Sequence, residues 1–455
     1  MAADRPAITL RPDPASWAER LRERPNPAQH HRSDREAIGL PATGPIVTSG
    51  HQPVLWHAGI LAKLIAACEL ARSADATACW IVADMDEADP VTVRAPHDRG
   101  EQARVRSLRL LQGDPPGPGI PTAALKPREP APADDALPGL TPLLAAHRAE
   151  PTLALQMGRA VVEHACDRLG LEPPTVIACS QLVETRAWHA ILDAMRADPA
   201  ACARSYNDAA GAHPDARVRP MQMHKDLVEL PLWRVRPDLP RLAVFADQLG
   251  AIPPEELRPR ALAMTALVRA ALCELFIHGT GGGLYDRVTE RWLVNWDGAP
   301  AWTLAPTAVA TADAFADLGM EAADLPDPAR ARWRAHHARH DPAMLGDDAA
   351  AAEKAELLAA IEHRKRAGDD PAPAFAALQQ LLRRVRQTHA ERLAALDADA
   401  DRAERLRGVR DLALDRTWPW PFLPGPTIDA LHEQIRGRLG TSTMQRCPPS
   451  SSPAS

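Results

Sequence analysis

The sequence predicts an α/β protein with a parallel-sheet core and a largely helical C-terminal third. A β-branched run at 46–48 meets a Gly50-His51 turn, after which Leu61, Leu64, Ile65 and Cys68 recur at helical spacing. A second apolar run, 78–83, ends in the acidic cluster Asp84, Asp86, Glu87 and Asp89. Strand, helix and strand within this length make a βαβ unit, whose right-handed crossover sets the two strands parallel. From 326 to 412 the composition shifts to Ala, Arg, Glu, Leu and Asp, with Phe375, Leu378, Leu382 and Val385 at 3–4 spacing.

Residues 1–40 are polar, Pro-bearing and Arg-rich and read as an N-terminal arm, with one short helix over 14–24 that sets Trp17 and Leu21 on one face. The Pro/Gly-dense stretch 112–140 reads as loop, and helical periodicity returns over 140–169. A buried strand follows at 175–179, then a helix to Met195 and a loop from about Ser205 that carries Asn207. Residues 227–235 alternate around Pro231, as an edge strand or hairpin does, and 242–245 form another short strand. Residues 262–276 read as one amphipathic helix running into Gly279-Thr-Gly-Gly-Gly283, with a new helix from about Tyr285. The region 326–412 reads as two long antiparallel helices joined at 367–373. Residues 413–440 include a Pro-locked Trp-Pro-Trp segment expected to return to the core, and 441–455 read as a disordered tail.

The chain has 455 residues, 45% of them apolar, enough for two or three domains with a substantial core. A formal charge of −6 gives no basic field for nucleic acid. The seven cysteines form no CxxC and no regular spacing, so buried free thiols are expected rather than disulfides or zinc. The start does not resemble a signal peptide and no apolar run spans a membrane, so a cytoplasmic protein is expected.

Three clusters carry chemistry. The first is Gly50, His51, Gln52, His57 and Lys63, in and beside a turn that faces a helix N-terminus, where an anion is favoured and imidazoles can relay protons. A turn glycine with a capping histidine is the structural alternative. The second is Asp84 and Asp86, able to act as a base or to bind an amine or hydroxyl, or alternatively a solvated capping turn. The third is Gly279, Gly281 and Gly282, flanked by His278, Tyr285 and Asp286, where backbone approaches a ligand closely or simply hinges. It lacks the P-loop lysine and follows no clear strand, which disfavours Walker-type nucleotide binding. His51, Asp84 and Asp86 are the catalytic candidates. Gly50, Gln52, His57, Lys63, Asn207, His278, Gly279, Gly281, Gly282, Tyr285 and Asp286 are the substrate-binding ones. No metal site is expected: His336, His337 and His340 lie in an Arg-rich stretch without HExxH, as on a solvated helix face. GxSxG is also missing.

The run Val47-Thr-Ser-Gly-His-Gln-Pro53 with Ala58-Gly-Ile-Leu-Ala-Lys63 resembles the TGQQ…GPLYT…K motif of the bacillithiol biosynthesis cysteine-adding enzyme (BshC) family. Cys79-Trp-Ile-Val-Ala-Asp-Met-Asp86 is similar to that family's FW-I-(x)2-EDHD strand end, and Ile277-His-Gly-Thr-Gly-Gly-Gly-Leu-Tyr285 to its GPGE…Y loop. The resemblance implies a Rossmann-like, nucleotidyltransferase-like core over 41–325 and an antiparallel coiled-coil domain over 326–412 that can form a homodimer. It implies a ligase or transferase adding cysteine, or another amine or thiol, to an amino-sugar conjugate. Gly50, Gln52, Lys63, Asp84, Asp86, Gly279, Gly281 and Tyr285 inherit pocket roles. The departures are His51 for glutamine, Met85 for histidine and Gly282 for glutamate, with His57 and His278 as extra imidazoles. Two alternatives remain: a nucleotidyltransferase-like enzyme with His51 and His57 on the phosphates of ATP or another nucleotide, and a non-catalytic dimeric protein that binds a small molecule.

Overall fold

A computed structural model describes residues 6–23, 29–132, 134–225, 227–320 and 323–440. The tail expected at 441–455, with Cys447, lies outside the described residues. The chain divides into two compact units, one built from 1–95, 105–316 and 416–455, the other from 96–104 and 317–415.

The first unit is mixed α/β around a six-stranded sheet. Its strands are β1 (Ala7–Arg11), β2 (Ile46–His51), β3 (Thr77–Val82), β4 (Thr175–Ala178), β5 (Leu275–His278) and β6 (Thr307–Asp313), in spatial order β1-β6-β5-β2-β3-β4. Only β1 runs antiparallel to its neighbour, with Leu10 opposite Ala310. The other pairs are parallel, with Val47 opposite Ala78, Ile81 opposite Ile177 and Leu275 opposite Val47. From β2 the chain builds outward to β3 and β4, then crosses to β5 and β6 on the other side. The order therefore reverses between β2 and β5, the place where open α/β sheets form a crevice at their carboxyl ends.

The helix Ala58–Ala74 follows β2 and is buried on nearly every side, which its Ala-, Leu- and Ile-rich sequence permits. It packs on β6 and on the helix Gly425–Gly440, while Trp418 and Trp420 are buried ahead of that last helix. The N-terminal segment is not an arm outside the core: its strand β1 edges the sheet, and Trp17 and Leu21 are buried. A smaller antiparallel sheet pairs Leu227–Arg234 with Met223–His224, Leu242–Phe245 and Leu257–Pro259.

Two expectations are corrected here. The helix predicted over 262–276 stops early. It is α-helical over Ala261–Leu267, widens into a π-helical turn at Val268–Leu272, and turns at Cys273 into β5. Leu275 and Phe276 are thus strand residues, and the glycine loop does follow a strand. The loop predicted from Ser205 is helix, Pro199–Ala212, started by Asp198 as N-cap with Pro at its first position.

The second unit is not a two-helix hairpin. It holds the helices Pro328–Ala338, Asp348–Ala367, Ala372–Thr388, Ala390–Arg405 and Arg407–Ala413. Asp347, which caps the second helix, and His389, which ends the third, divide the two long helices expected on either side of 367–373. Its core gathers Ala338, Leu345, Leu381, Val385 and Leu393.

Candidate functional site

At the carboxyl ends of β2, β3 and β5 lies a cavity of about 390 Å³. Gly50, Asp86, His278, Gly282 and Tyr285 reach its wall from the three sequence clusters. Much of the remaining wall is apolar: Ile81, Met85, Trp233, Leu262, Val268 and Phe276. Gly50 is required by packing, since a Cβ there would overlap the Ile81 carbonyl of the neighbouring strand.

His278 is the best-supported polar group. Its Nε2 lies 2.6 Å from Asp286 Oδ2, and Asp286 Oδ1 lies 3.2 Å from Arg269 Nη1. Arg269, on the π-helical turn, also donates to Ala305 O at 2.8 Å and pairs with Glu290 at 2.6 Å. Burial lowers the His278 pKa against the opposing pull of Asp286, which favours a neutral ring. The Asp286 carboxylate beside Nε2 favours a proton on that nitrogen, which leaves the lone pair on Nδ1. That atom faces the gap left by the missing side chain of Gly282. The ring is also packed edge-on against Phe276 at 4.2 Å.

The other candidates separate into distinct roles. His51 ends β2 outside the cavity wall, and burial, then Lys63 and His57, lower its pKa to about 3, so it stays neutral. His57 caps the helix Ala58–Ala74, its Nδ1 accepting from Gly59 N at 3.0 Å, as in the structural alternative, but the expected Gly50-His51 turn is strand, both residues pairing within β2 with Ile81 and Val82. Lys63 is buried, donates to Gly50 O, and is held by burial to a pKa of about 7. Asp84 does not face the cavity. It accepts from Ser180 N at 3.0 Å and Ser180 Oγ at 2.5 Å, tying the end of β3 to the turn after β4. Asp86 is half exposed and pairs with Arg241 at 3.1 Å, with Gln52 Nε2 at 3.5 Å. Asn207 is remote from the cavity wall and holds both the N–H and the carbonyl of Met221, so it is a tertiary tie and not a ligand group. Gly279 and Gly281 lie in the loop beside the cavity without lining it.

Sequence reasoning missed the wall beyond these clusters. Trp233 comes from the smaller sheet, with the Arg241 and Arg260 guanidiniums 4.5 and 4.4 Å from its ring. Arg260 is itself held by buried Glu229 at 2.7 Å. A larger hollow, about 470 Å³, opens at the amino ends of β3 and β4. Its buried carboxylate Glu69 is already paired with His432 and Arg72, both at 2.7 Å, so it calls for no ligand. Among the described residues no His/Cys/Asp/Glu group has metal-holding geometry, six cysteines are buried and free, and no helix is long and apolar enough to cross a membrane.

Asp84 gives a pH prediction. Burial raises its pKa from 3.8 to about 6 despite the Ser180 bonds. The folded state therefore holds this proton more tightly than the unfolded chain. Its contribution is complete below pH 4, declines as pH rises to 6, and is gone above that. At roughly 1.4 kcal/mol per pH unit the loss totals about 3 kcal/mol. In urea titrations from pH 4 to 7, Asp84→Asn should remove that slope; an unchanged slope assigns the titration elsewhere.

No protein-family model matches this chain, and no curated protein matches it in sequence.

Proposed function

We propose that the protein is a ligase or transferase of the BshC kind, with a Rossmann-like core, acting on a small polar metabolite. The observation that carries this reading is the convergence of Gly50, Asp86, His278, Gly282 and Tyr285 on one cavity at the reversal of strand order. Joining an amine to the carboxyl group of a second metabolite forms a C–N bond and breaks a carboxyl C–O bond, the oxygen leaving as water or, where ATP activates the carboxyl, with phosphate. The attacking neutral amine gives up a proton as the new bond forms. The neutral His278 ring, oriented by Asp286, is the group in the wall suited to accept it. Asp86, exposed at the rim and paired with Arg241, is suited to hold the non-reacting α-ammonium of cysteine. The apolar wall limits the access of water to the reacting groups.

The departures from the resembling motif fit together. A glutamate at 282 would collide with His278, so the imidazole and the glycine come as a pair. The proton acceptor thus arises from β5, whereas Met85, at the family's histidine position, contributes only apolar wall.

The test is product formation. Cysteine and glucosaminyl-malate, with and without ATP, should yield a condensed thiol detected by mass spectrometry, and His278→Asn should lower the rate by about 10²–10⁴-fold. A panel of other amines and thiols covers a divergent substrate. Binding without turnover on any of them would instead favour the non-catalytic reading.

Nucleotide use is a second reading, favoured by β5 leading directly into the Gly279–Gly283 loop. ATP dependence of the same assay decides it. Exposed Trp333, Leu358 and Phe375 on the helical unit support self-association, checked by light scattering of the full chain for twice 49.2 kDa. Six buried thiols fit a reducing cytoplasmic setting.

A further inference from the structure

We propose that Lys63 and the head of the helix Gly282–Asn295 bind one compact oxyanion, a carboxylate or phosphate of the substrate, beside the cavity. The inference rests on the functional reading above only in assigning that anion to a substrate.

Lys63 is 6% exposed. Other buried cations of this unit are matched: Arg35 by Glu274, and Arg269 by Asp286 and Glu290. Lys63 has no carboxylate within ion-pair distance among the described residues and uses one donor on Gly50 O. Its neighbours make the imbalance worse. His51 and His278 both feel its charge as repulsion, and the Trp80 ring, 5.6 Å away, offers only a cation–π contact in return. A buried ammonium in such company is costly unless a negative group completes it.

The second observation is the loop itself. A Cβ on Gly279 would meet Lys63 Cδ at 3.9 Å, so the lysine stem passes beside the start of the loop. The helix beyond spans 14 residues and has no side-chain cap at Gly281. The amides of Thr280, Gly281 and Gly282 find no protein acceptor among the described residues. An uncapped helix N-terminus carries partial positive charge and free N–H groups. An oxyanion there satisfies the amides and the lysine together, which a chloride, with no fixed acceptor directions, does poorly.

The proposal has a proton signature. Empty, Lys63 is mostly neutral at pH 8, because burial holds its pKa near 7. A bound anion favours the charged form, so binding takes up a proton. Pyrophosphate and malate serve as probes, with chloride as control, by calorimetry at pH 8 in buffers of different ionisation enthalpy. Wild type should bind one of the two oxyanions with net proton uptake. Lys63→Met should weaken that binding at least tenfold and should raise the melting temperature in probe-free buffer. Preference for pyrophosphate points to a phosphate source, and preference for malate to a carboxylate source. Absence of binding by either oxyanion, or binding to wild type without proton uptake, overturns the proposal even if Lys63→Met does not fold. Equal affinity of wild type and Lys63→Met overturns it as well. Because no turnover is measured, anion binding without product in the cysteine assay would fail the functional reading and keep the site.

Discussion

Replacing Arg35 with Met should lower the unfolding free energy by about 3–5 kcal/mol, the scale for leaving one member of a buried ion pair without its partner. Arg35 and Glu274 have side chains 1% and 4% exposed. The guanidinium meets both carboxylate oxygens, at 2.6 and 2.7 Å. It also donates to Leu272 O at 3.0 Å and Gly44 O at 2.9 Å, while Glu274 accepts from Ile46 N at 2.7 Å. One ion pair therefore fixes the end of the π-helical turn and the first residues of β2 and β5. Those strands carry Gly50 and His278 at their far ends. With Met at 35, Glu274 stays buried without a counter-charge and two carbonyls lose a donor. The double variant Arg35→Met/Glu274→Met should recover most of the loss, because neither charge is then stranded. What it retains is the cost of unpaired backbone groups, about 1–3 kcal/mol each. Urea denaturation of the two single variants and the double variant measures the coupling. Additive losses, or a single-variant loss below about 1 kcal/mol, would remove this pair from its structural role.

The strands that were legible in the sequence are those with large or β-branched residues. Ile46 and Val47, Trp80 to Val82, and Val176 with Ile177 all announce burial on both faces of a parallel sheet. β6 was not legible, because its inward residues are Ala308, Ala310 and Ala312. Small side chains suit its close contact with the helix Ala58–Ala74, yet alanine carries no strand signature. β1 hides in a polar, Pro-flanked segment whose pairing depends on that same β6. β5 was masked by continuity: apolar spacing runs unbroken from Leu262 to Phe276, and only the π-helical turn and Cys273 end the helix. The candidate site divides along the same line. Residues at strand ends and in the glycine loop were visible as local motifs. Asp84 and Asp86 looked equivalent, but one turn buries the first against Ser180 and leaves the second at the rim. Trp233 comes from a separate sheet and lies in no motif, so only tertiary packing brings it to the wall.

Gly282→Ala should uncouple the site from the fold. Gly282 begins a helix with ordinary backbone angles, so alanine costs nothing locally and by helix propensity alone gains up to about 1 kcal/mol. The expected loss comes from His278. A Cβ on residue 282 would overlap His278 Nδ1 and lie 2.9 Å from its Cγ. The ring cannot swing aside cheaply, because Asp286 lies at one edge and Phe276 packs against it in a T-shaped contact. Overpacking of this kind costs about 1–3 kcal/mol. It also occupies the space beside Nδ1 that Gly282 leaves open, so any activity that depends on His278 should fall as far as it does in His278→Asn. Stability separates this mechanism from a general effect on the helix. In a His278→Ala background the clash is gone, and Gly282→Ala should become neutral or stabilising. If instead it destabilises both backgrounds equally, the glycine serves the helix start rather than the histidine. The pairing of Gly282 with His278, on which the assignment of the proton acceptor rests, would then be lost.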